Sequence, residues 1–151
     1  MKILPNRNST KGFTLIELLI VVTILGVLSL IGVAAFRGLQ NRGNDEKRMA
    51  DLNAVASALE VNKTSSGYQL LADSQFQSGK IPADPTSTKV YCIMSASSGS
   101  VGSKPAAWAG TTCPGGYGAL SPTTPTANST IWMVCATLQN GSSVECRTSA
   151  Q

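Results

Sequence analysis

The distribution of apolar and polar positions sets residues 13–36 apart from the rest of the chain. This stretch, FTLIELLIVVTILGVLSLIGVAAF, is an apolar run of 24 residues in which Glu17 is the only ionisable side chain. A helix of that length spans about 36 Å, which exceeds the roughly 30 Å hydrocarbon core of a bilayer. The pattern therefore predicts a membrane-spanning helix over residues 13–36.

The apolar pattern takes a helical period after Phe36. Five apolar residues recur at spacings of three and four, which is one stripe of an amphipathic helix: Met49, Leu52, Val55, Ala56 and Leu59. We expect the helix to continue over residues 37–66 with this stripe against a sheet, and NKTSSG at 62–67 to end it. The charged stretch RGNDEKR at 42–48 is interpreted as a solvated helical face, with a contact between subunits as the alternative.

Residues 67–151 have the pattern of strands and loops. VYCIMS at 90–95 and IWMVCATL at 131–138 are rich in β-branched and aromatic residues, which favours strands. The stretch between them at 110–130 is dense in Gly, Pro, Ser and Thr and is predicted to be a surface loop. The predicted fold class is α+β, with a long N-terminal helix packed against a small antiparallel sheet in a head domain of residues 67–151.

The residues before the apolar run indicate its orientation. Lys2, Arg7 and Lys11 precede it with no acidic residue among them, and such basic flanks stay on the cytoplasmic side of a membrane. We therefore expect residues 1–12 to be a basic leader and the chain after Phe36 to face outward. The formal net charge is +4, but three of the 12 basic residues lie in this leader, so nine basic residues remain against eight acidic ones. That balance gives no clear nucleic-acid site.

All four cysteines follow the apolar run, and this placement fits two disulfides in an oxidising compartment. If Asn140-Gly141 is a two-residue hairpin turn, Cys135 faces Cys146, because each lies five residues from the turn. Cys92 and Cys113 then pair by elimination. A two-residue turn puts the facing cysteines at a hydrogen-bonded position, where a disulfide fits less well, so a bulged or longer turn remains an alternative.

The sequence offers little catalytic chemistry. There is no histidine, which removes the usual general base, histidine-dependent triads and histidine-ligated metals. The cysteines are too far apart for a zinc knuckle, and the outer carboxylates Asp73, Asp84 and Glu145 are too scattered in sequence for a calcium loop, although folding could gather them. We expect no enzyme activity, no cofactor and no metal site.

The start of the apolar run carries the most specific motif. KGFTLIELLIVVTILGVL at 11–28 resembles the prepilin signature of type IV pilins and of the pseudopilins of type II secretion. The resemblance implies cleavage between Gly12 and Phe13 by a prepilin peptidase, N-methylation of Phe13 and a role for Glu17 in filament assembly. An ordinary secretory signal has a shorter apolar core, and a plain membrane anchor does not explain Glu17, which has no basic partner within the run.

The resemblance implies a structural subunit of a type IV pilus-like filament that polymerises through its apolar helix. One alternative is a pseudopilin of a type II secretion or DNA-uptake machine, and another is a single-pass membrane-anchored binding domain. The expected partners are further copies of the chain, the prepilin peptidase, the inner-membrane assembly machinery and membrane lipid before assembly. The expected location is the inner membrane before assembly and a surface filament or periplasmic pseudopilus afterwards.

Overall fold

The computed structural model describes residues 12–139 and 143–149. Contacts between Cα atoms divide the chain into two compact units, one of residues up to Leu39 and one of residues from Gln40. One long helix, α1 (Leu15–Val61), contributes to both units. The described residues also form a four-stranded antiparallel sheet, and this confirms the predicted α+β class with a long N-terminal helix and a small sheet.

The described part of the first unit is an apolar helix in which no described side chain is buried. All 17 large apolar side chains between Phe13 and Leu39 are exposed, from 49% for Leu19 to 87% for Phe13. Among the described residues, α1 is the one helix long and apolar enough to cross a membrane. An apolar surface this large marks a region that contacts lipid or protein.

The sheet belongs to the second unit. Its strands lie in the order β2-β1-β3-β4, and each neighbouring pair is antiparallel. The strands are β1 (Cys92–Ala96), β2 (Gly118–Ala119), β3 (Ile131–Thr137) and β4 (Val144–Thr148). A short 3-10 turn at Asp73–Gln75 precedes them. Thus β1 and β3 fall on the two predicted strands, whereas the two-residue β2 lies inside the stretch that was predicted to be a loop.

Strand β3 is buried on both faces, and its alternating side chains belong to two separate apolar clusters. One cluster joins β3 to the amphipathic part of α1 and includes Trp132, Val134, Ala136, Leu52, Val55 and Leu59. The other lies on the opposite face of the sheet and includes Met133, Cys135, Cys92, Val101, Trp108 and Val144. The predicted helical stripe therefore packs on the sheet, with Leu52, Val55 and Leu59 buried.

The end of α1 is fixed by polar groups and a glycine. Helix α1 ends at Val61, where the backbone N and the Nδ2 of Asn62 donate to the carbonyl of Ala58 at 3.2 and 2.7 Å. Gly67 then has a φ of +123°, and a Cβ there would lie 2.6 Å from the carbonyl oxygen of Ser129. Only glycine allows this close approach. The helix thus ends where the predicted stop signals begin.

Candidate functional site

Gly12 and Phe13 lie just before the start of α1 and are exposed. A Cβ at Gly12 would meet no atom within 4 Å, so the fold itself does not require glycine there. Residues 1–11 of the predicted leader lie outside the described residues, so the leader and its cleavage stay predictions.

Thr14 and Glu17 hydrogen-bond to each other across the first turn of α1. The Oγ1 of Thr14 accepts from the backbone N of Glu17 at 3.3 Å. In return, Oε2 of Glu17 accepts from the backbone N and the Oγ1 of Thr14, at 3.2 and 2.9 Å. This reciprocal arrangement is a capping box, which satisfies N–H groups that a helix start leaves free.

The capping box offsets part of the cost of placing the Glu17 carboxylate in an apolar run without a basic partner. The carboxylate lies in the first turn of α1, where the positive end of the helix dipole also favours a negative charge. Sequence reasoning considered Glu17 alone and missed Thr14, although the spacing in TLIE is visible as a capping-box pattern. The structure therefore adds Thr14 to the predicted site, as the residue that orients Glu17.

The position of Arg48 differs from the predicted solvated helical face at 42–48. Its side chain is 0% exposed, and its Nε and Nη2 donate to the two carboxylate oxygens of Asp84 at 2.7 and 3.0 Å. Its Nη1 donates to Asp45 at 2.7 Å and to Gln139 at 3.2 Å. The solvated-face interpretation is wrong for Arg48. The missed signal is that Arg48 precedes Leu52 by four residues and so lies on the apolar stripe of α1.

The Arg48 cluster, which we define as Arg48, Asp45, Asp84, Thr86 and Gln139, links α1 to two distant segments of the second unit. Donation of hydrogen bonds to Asp84 raises the pKa of Arg48, and burial opposes that rise. Burial alone would raise the pKa of Asp84, but hydrogen bonds from Arg48 and Thr86 outweigh it, and the pKa is lowered. Both groups stay charged, so the cluster holds the fold rather than moving protons.

Both disulfides lie on the face of the sheet away from α1. The pairs are Cys92–Cys113 and Cys135–Cys146, with Cα separations of 5.7 and 4.1 Å. Residues 140–142, which include the predicted two-residue turn, lie outside the described residues. The backbone N of Leu138 donates to the carbonyl of Ser143 at 2.9 Å. Leu138 and Ser143 are thus a hydrogen-bonded pair, and such pairs alternate with non-hydrogen-bonded pairs along an antiparallel ladder. Cys135 and Cys146, three residues further along, therefore occupy the closer, non-hydrogen-bonded position. A connection longer than two residues allows this arrangement.

The described residues contain no group of three or more His, Cys, Asp or Glu side chains that could hold a metal ion. Asp73 accepts from the backbone N of Ile81, Asp84 belongs to the Arg48 cluster, and Glu145 lies 3.8 Å from Lys104. Folding thus places these three carboxylates in separate surroundings.

The family model for the prokaryotic N-terminal methylation motif matches residues 7–33. The chain is 35% identical over 57 residues to the type II secretion system core protein G of Klebsiella michiganensis, covering 38% of this chain and 40% of that protein. It is 34% identical over 56 residues to the protein of the same name from Escherichia coli K12, covering 37% of this chain and 39% of that one.

A relative with a different name is fimbrial protein Q of Moraxella bovis, which is 36% identical over 54 residues, covering 36% of this chain and 34% of that protein. The chain spans about two fifths of the length of the secretion proteins that it matches. No solved structure matches. The methylation motif and the secretion and fimbrial relatives all match the N-terminal part of the chain, and the long apolar helix followed by a small antiparallel sheet is consistent with a pilin-like fold.

Proposed function

We propose that the chain is a structural subunit of a type IV pilus-like filament and polymerises through its apolar N-terminal helix. The observation that carries this proposal is the set of 17 exposed apolar side chains between Phe13 and Leu39, which the chain does not bury against itself. A bilayer covers such a surface before assembly, and the helices of other subunits cover it afterwards. The role needs no catalytic step and no cofactor of the chain's own.

The proposed processing step gives Glu17 a partner. Cleavage between Gly12 and Phe13 by a prepilin peptidase creates a positive amine on Phe13, which the peptidase family usually methylates. A carboxylate without a partner in an apolar surrounding is costly, and an opposite charge from a neighbouring subunit lowers that cost. We infer that the Glu17 carboxylate pairs with the Phe13 amine of the next subunit and sets the register of the incoming helix.

The decisive test compares Glu17→Val and Glu17→Gln with the matched control Glu46→Gln, which changes an exposed glutamate in the second unit. Membrane fractionation measures insertion, intact-mass spectrometry measures cleavage, and electron microscopy of sheared fractions measures fibres or overexpressed pseudopili. We expect both Glu17 variants to insert and be cleaved yet fail to assemble, because neither retains the charge. Glu46→Gln should assemble normally. Fibres from Glu17→Val at the normal rate would show that the charge pair is not needed.

Processing has its own test. Gly12→Leu should leave the uncleaved precursor in the membrane, whereas Gly38→Leu, the same change at another glycine with open space around it, should be cleaved to a chain that begins at Phe13. A chain that keeps Met1 in the wild type would favour the single-pass anchored binding domain instead. A mature start near Ala35 would indicate ordinary signal cleavage.

The second candidate function is a pseudopilin of a type II secretion machine, and the relatives named core protein G favour it. In that case the assembled form is a short periplasmic pseudopilus rather than a surface filament, while the inner-membrane assembly machinery plays the equivalent role. Deletion of the gene separates the two functions. Loss of surface fibres with normal protein export indicates a pilus subunit, and loss of exported proteins with unchanged fibres indicates a pseudopilin.

A further inference from the structure

Three of the four cysteines form a row across three adjacent strands. Cys92 on β1 is in register with Cys135 on β3, and Cys135 is in register with Cys146 on β4. Residues in register on neighbouring strands point to the same face of the sheet, and these three cysteines belong to one cluster there. Cys135 therefore has a cysteine on each side, although it is bonded only to Cys146.

Cys92, the neighbour to which Cys135 is not bonded, lies at a suitable Cα separation from Cys135 for a disulfide. Successive residues of a strand direct their backbone N–H and C=O groups to opposite neighbouring strands. Those of Ala136 point to β4, so those of Cys135 point to β1. Cys92 and Cys135 therefore form a hydrogen-bonded pair, for which the Cα separation is about 5.5 Å. Disulfides form at Cα separations of roughly 4.4–6.8 Å. The Cα separation of Cys92 and Cys135 therefore falls within the disulfide range, although their hydrogen-bonded position fits a disulfide less well than the position of Cys135 and Cys146.

Burial determines which sulfur an external thiol can reach. Cys92 and Cys135 are 0% exposed, whereas their partners Cys113 and Cys146 are both partly exposed. A thiolate from outside therefore attacks Cys113 or Cys146, and the buried cysteine of that disulfide leaves as the thiolate. In either case the released thiolate lies beside a sulfur of the other, intact disulfide.

We propose that the row Cys92, Cys135 and Cys146 is a disulfide relay that converts the native two-disulfide protein into a one-disulfide form linked between Cys92 and Cys135. If Cys146 is attacked, the Cys135 thiolate attacks Sγ of Cys92, the Cys92–Cys113 bond breaks, and Cys113 leaves as a thiolate. If Cys113 is attacked, the Cys92 thiolate attacks Sγ of Cys135, and Cys146 leaves. Both routes reach the same product.

A dithiol reductant, such as the active site of a dithiol oxidoreductase or dithiothreitol, supplies the two electrons that this conversion consumes. Its first thiol forms a mixed disulfide with Cys113 or Cys146, and its second thiol resolves that bond. The dithiol becomes a disulfide, and the protein exchanges two disulfides for one disulfide and two thiols. The new bond still joins the central strands, while two partly exposed thiols, Cys113 and Cys146, become available.

The exchange also releases a loop. Residues 97–117 connect β1 to β2 and place Val101 and Trp108 in the cluster over the cysteine row. Cys113 is the covalent attachment of this loop to the sheet. In the one-disulfide form the loop keeps only non-covalent contacts, such as the bond from Nε1 of Trp108 to the carbonyl of Val90 at 3.2 Å. The relay thus couples partial reduction to loosening of one surface loop.

Partial reduction of the full chain tests the relay. Purified protein in detergent micelles is treated with equimolar dithiothreitol, quenched with N-ethylmaleimide and digested with chymotrypsin. Cleavage after Tyr91, Trp108, Tyr117, Trp132 and Leu138 places the four cysteines in separate peptides. We expect most one-disulfide molecules to link Cys92 to Cys135 and to carry the label on Cys113 and Cys146. The proposal would be overturned if every one-disulfide molecule retained one of the two native pairs, Cys92–Cys113 or Cys135–Cys146.

Two double variants provide a matched comparison that does not depend on partial reduction. Cys113→Ser/Cys146→Ser keeps the two in-register cysteines and should form the Cys92–Cys135 disulfide during expression. Cys92→Ser/Cys146→Ser keeps Cys113 and Cys135, which are not in register, and should retain two free thiols. Free thiols in the first variant, with native tryptophan fluorescence showing that it is folded, would also overturn the relay.

Discussion

The two parts of α1 share one backbone conformation but differ in how their apolar side chains are covered. Leu25, in the part up to Leu39, is 57% exposed, whereas Leu52, in the part from Gln40, is 0% exposed. The second unit covers its own apolar surface with a sheet, and in the proposed function a bilayer or other subunits cover that of the first unit. Substitutions in the first part should therefore alter assembly, and substitutions in the second part should alter folding.

The largest expected effect is at the buried charge of the second unit. Arg48→Ala leaves Asp84 buried without its partner and should lower the free energy of unfolding by about 3–5 kcal/mol. Urea unfolding of the full chain in micelles measures this, followed by the fluorescence of Trp108 and Trp132, which both lie in the second unit. The exposed control Arg42→Ala should change the value by about 0.5 kcal/mol or less. Equal effects of the two variants would mean that the cluster does not hold the fold.

A matched pair of leucines tests the comparison directly. Leu52→Ala removes buried apolar contacts and should cost about 2–5 kcal/mol in the same unfolding measurement. Leu25→Ala makes the same chemical change on the same helix, but it should leave the tryptophan-monitored transition unchanged. Its effect should appear instead as a lower yield of assembled filament. A shift of the unfolding midpoint by Leu25→Ala would show that the two parts of α1 are not independent.

Acid should weaken the second unit through Asp84. The pKa of Asp84 is lower in the folded chain than its ordinary value of 3.8, so its contribution to stability is present above pH 3.8. As the pH falls through the lowered folded-state pKa, the carboxylate takes up a proton and that contribution is lost. Unfolding midpoints measured from pH 6 to pH 2 should therefore drop below about pH 4. Asp84→Asn should be less stable at pH 6 and should show a smaller drop.

The smallest expected effect concerns the capping box in the first unit. Thr14→Val keeps the shape of the side chain but removes the hydroxyl, which should weaken the first turn of α1 by about 1 kcal/mol. Hydrogen exchange of the amides of Glu17 and Leu18, which donate to Oγ1 and the carbonyl of Thr14, measures this in micelles as an increase of about fivefold. The tryptophan-monitored unfolding should stay constant. Unchanged exchange in Thr14→Val would show that the hydroxyl does not support Glu17.

The sequence predicted those features that follow a period or a fixed motif. The 24-residue apolar run, the stripe through Leu52 and strands β1 and β3 all depend on neighbours along the chain, and such patterns are visible without a structure. The Arg48 cluster could not be predicted in full, because Asp84 and Gln139 lie 36 and 91 residues away in sequence. Strand β2 was missed because two residues, Gly118 and Ala119, have no period of their own.

Strand β4 lies at one edge of the described sheet, and such an edge would be a hazard in the proposed filament subunit. An edge strand has free N–H and C=O groups that can pair with another chain, so the sheet offers a second, unregulated way to aggregate. Strand β4 is only five residues long and carries Glu145, 3.8 Å from Lys104, and Arg147, bonded to Asn53 at 2.7 Å. Short, charged edges resist such pairing. In the proposed filament, head domains could therefore be crowded side by side without their sheets fusing, and contact between subunits would be left to the helix.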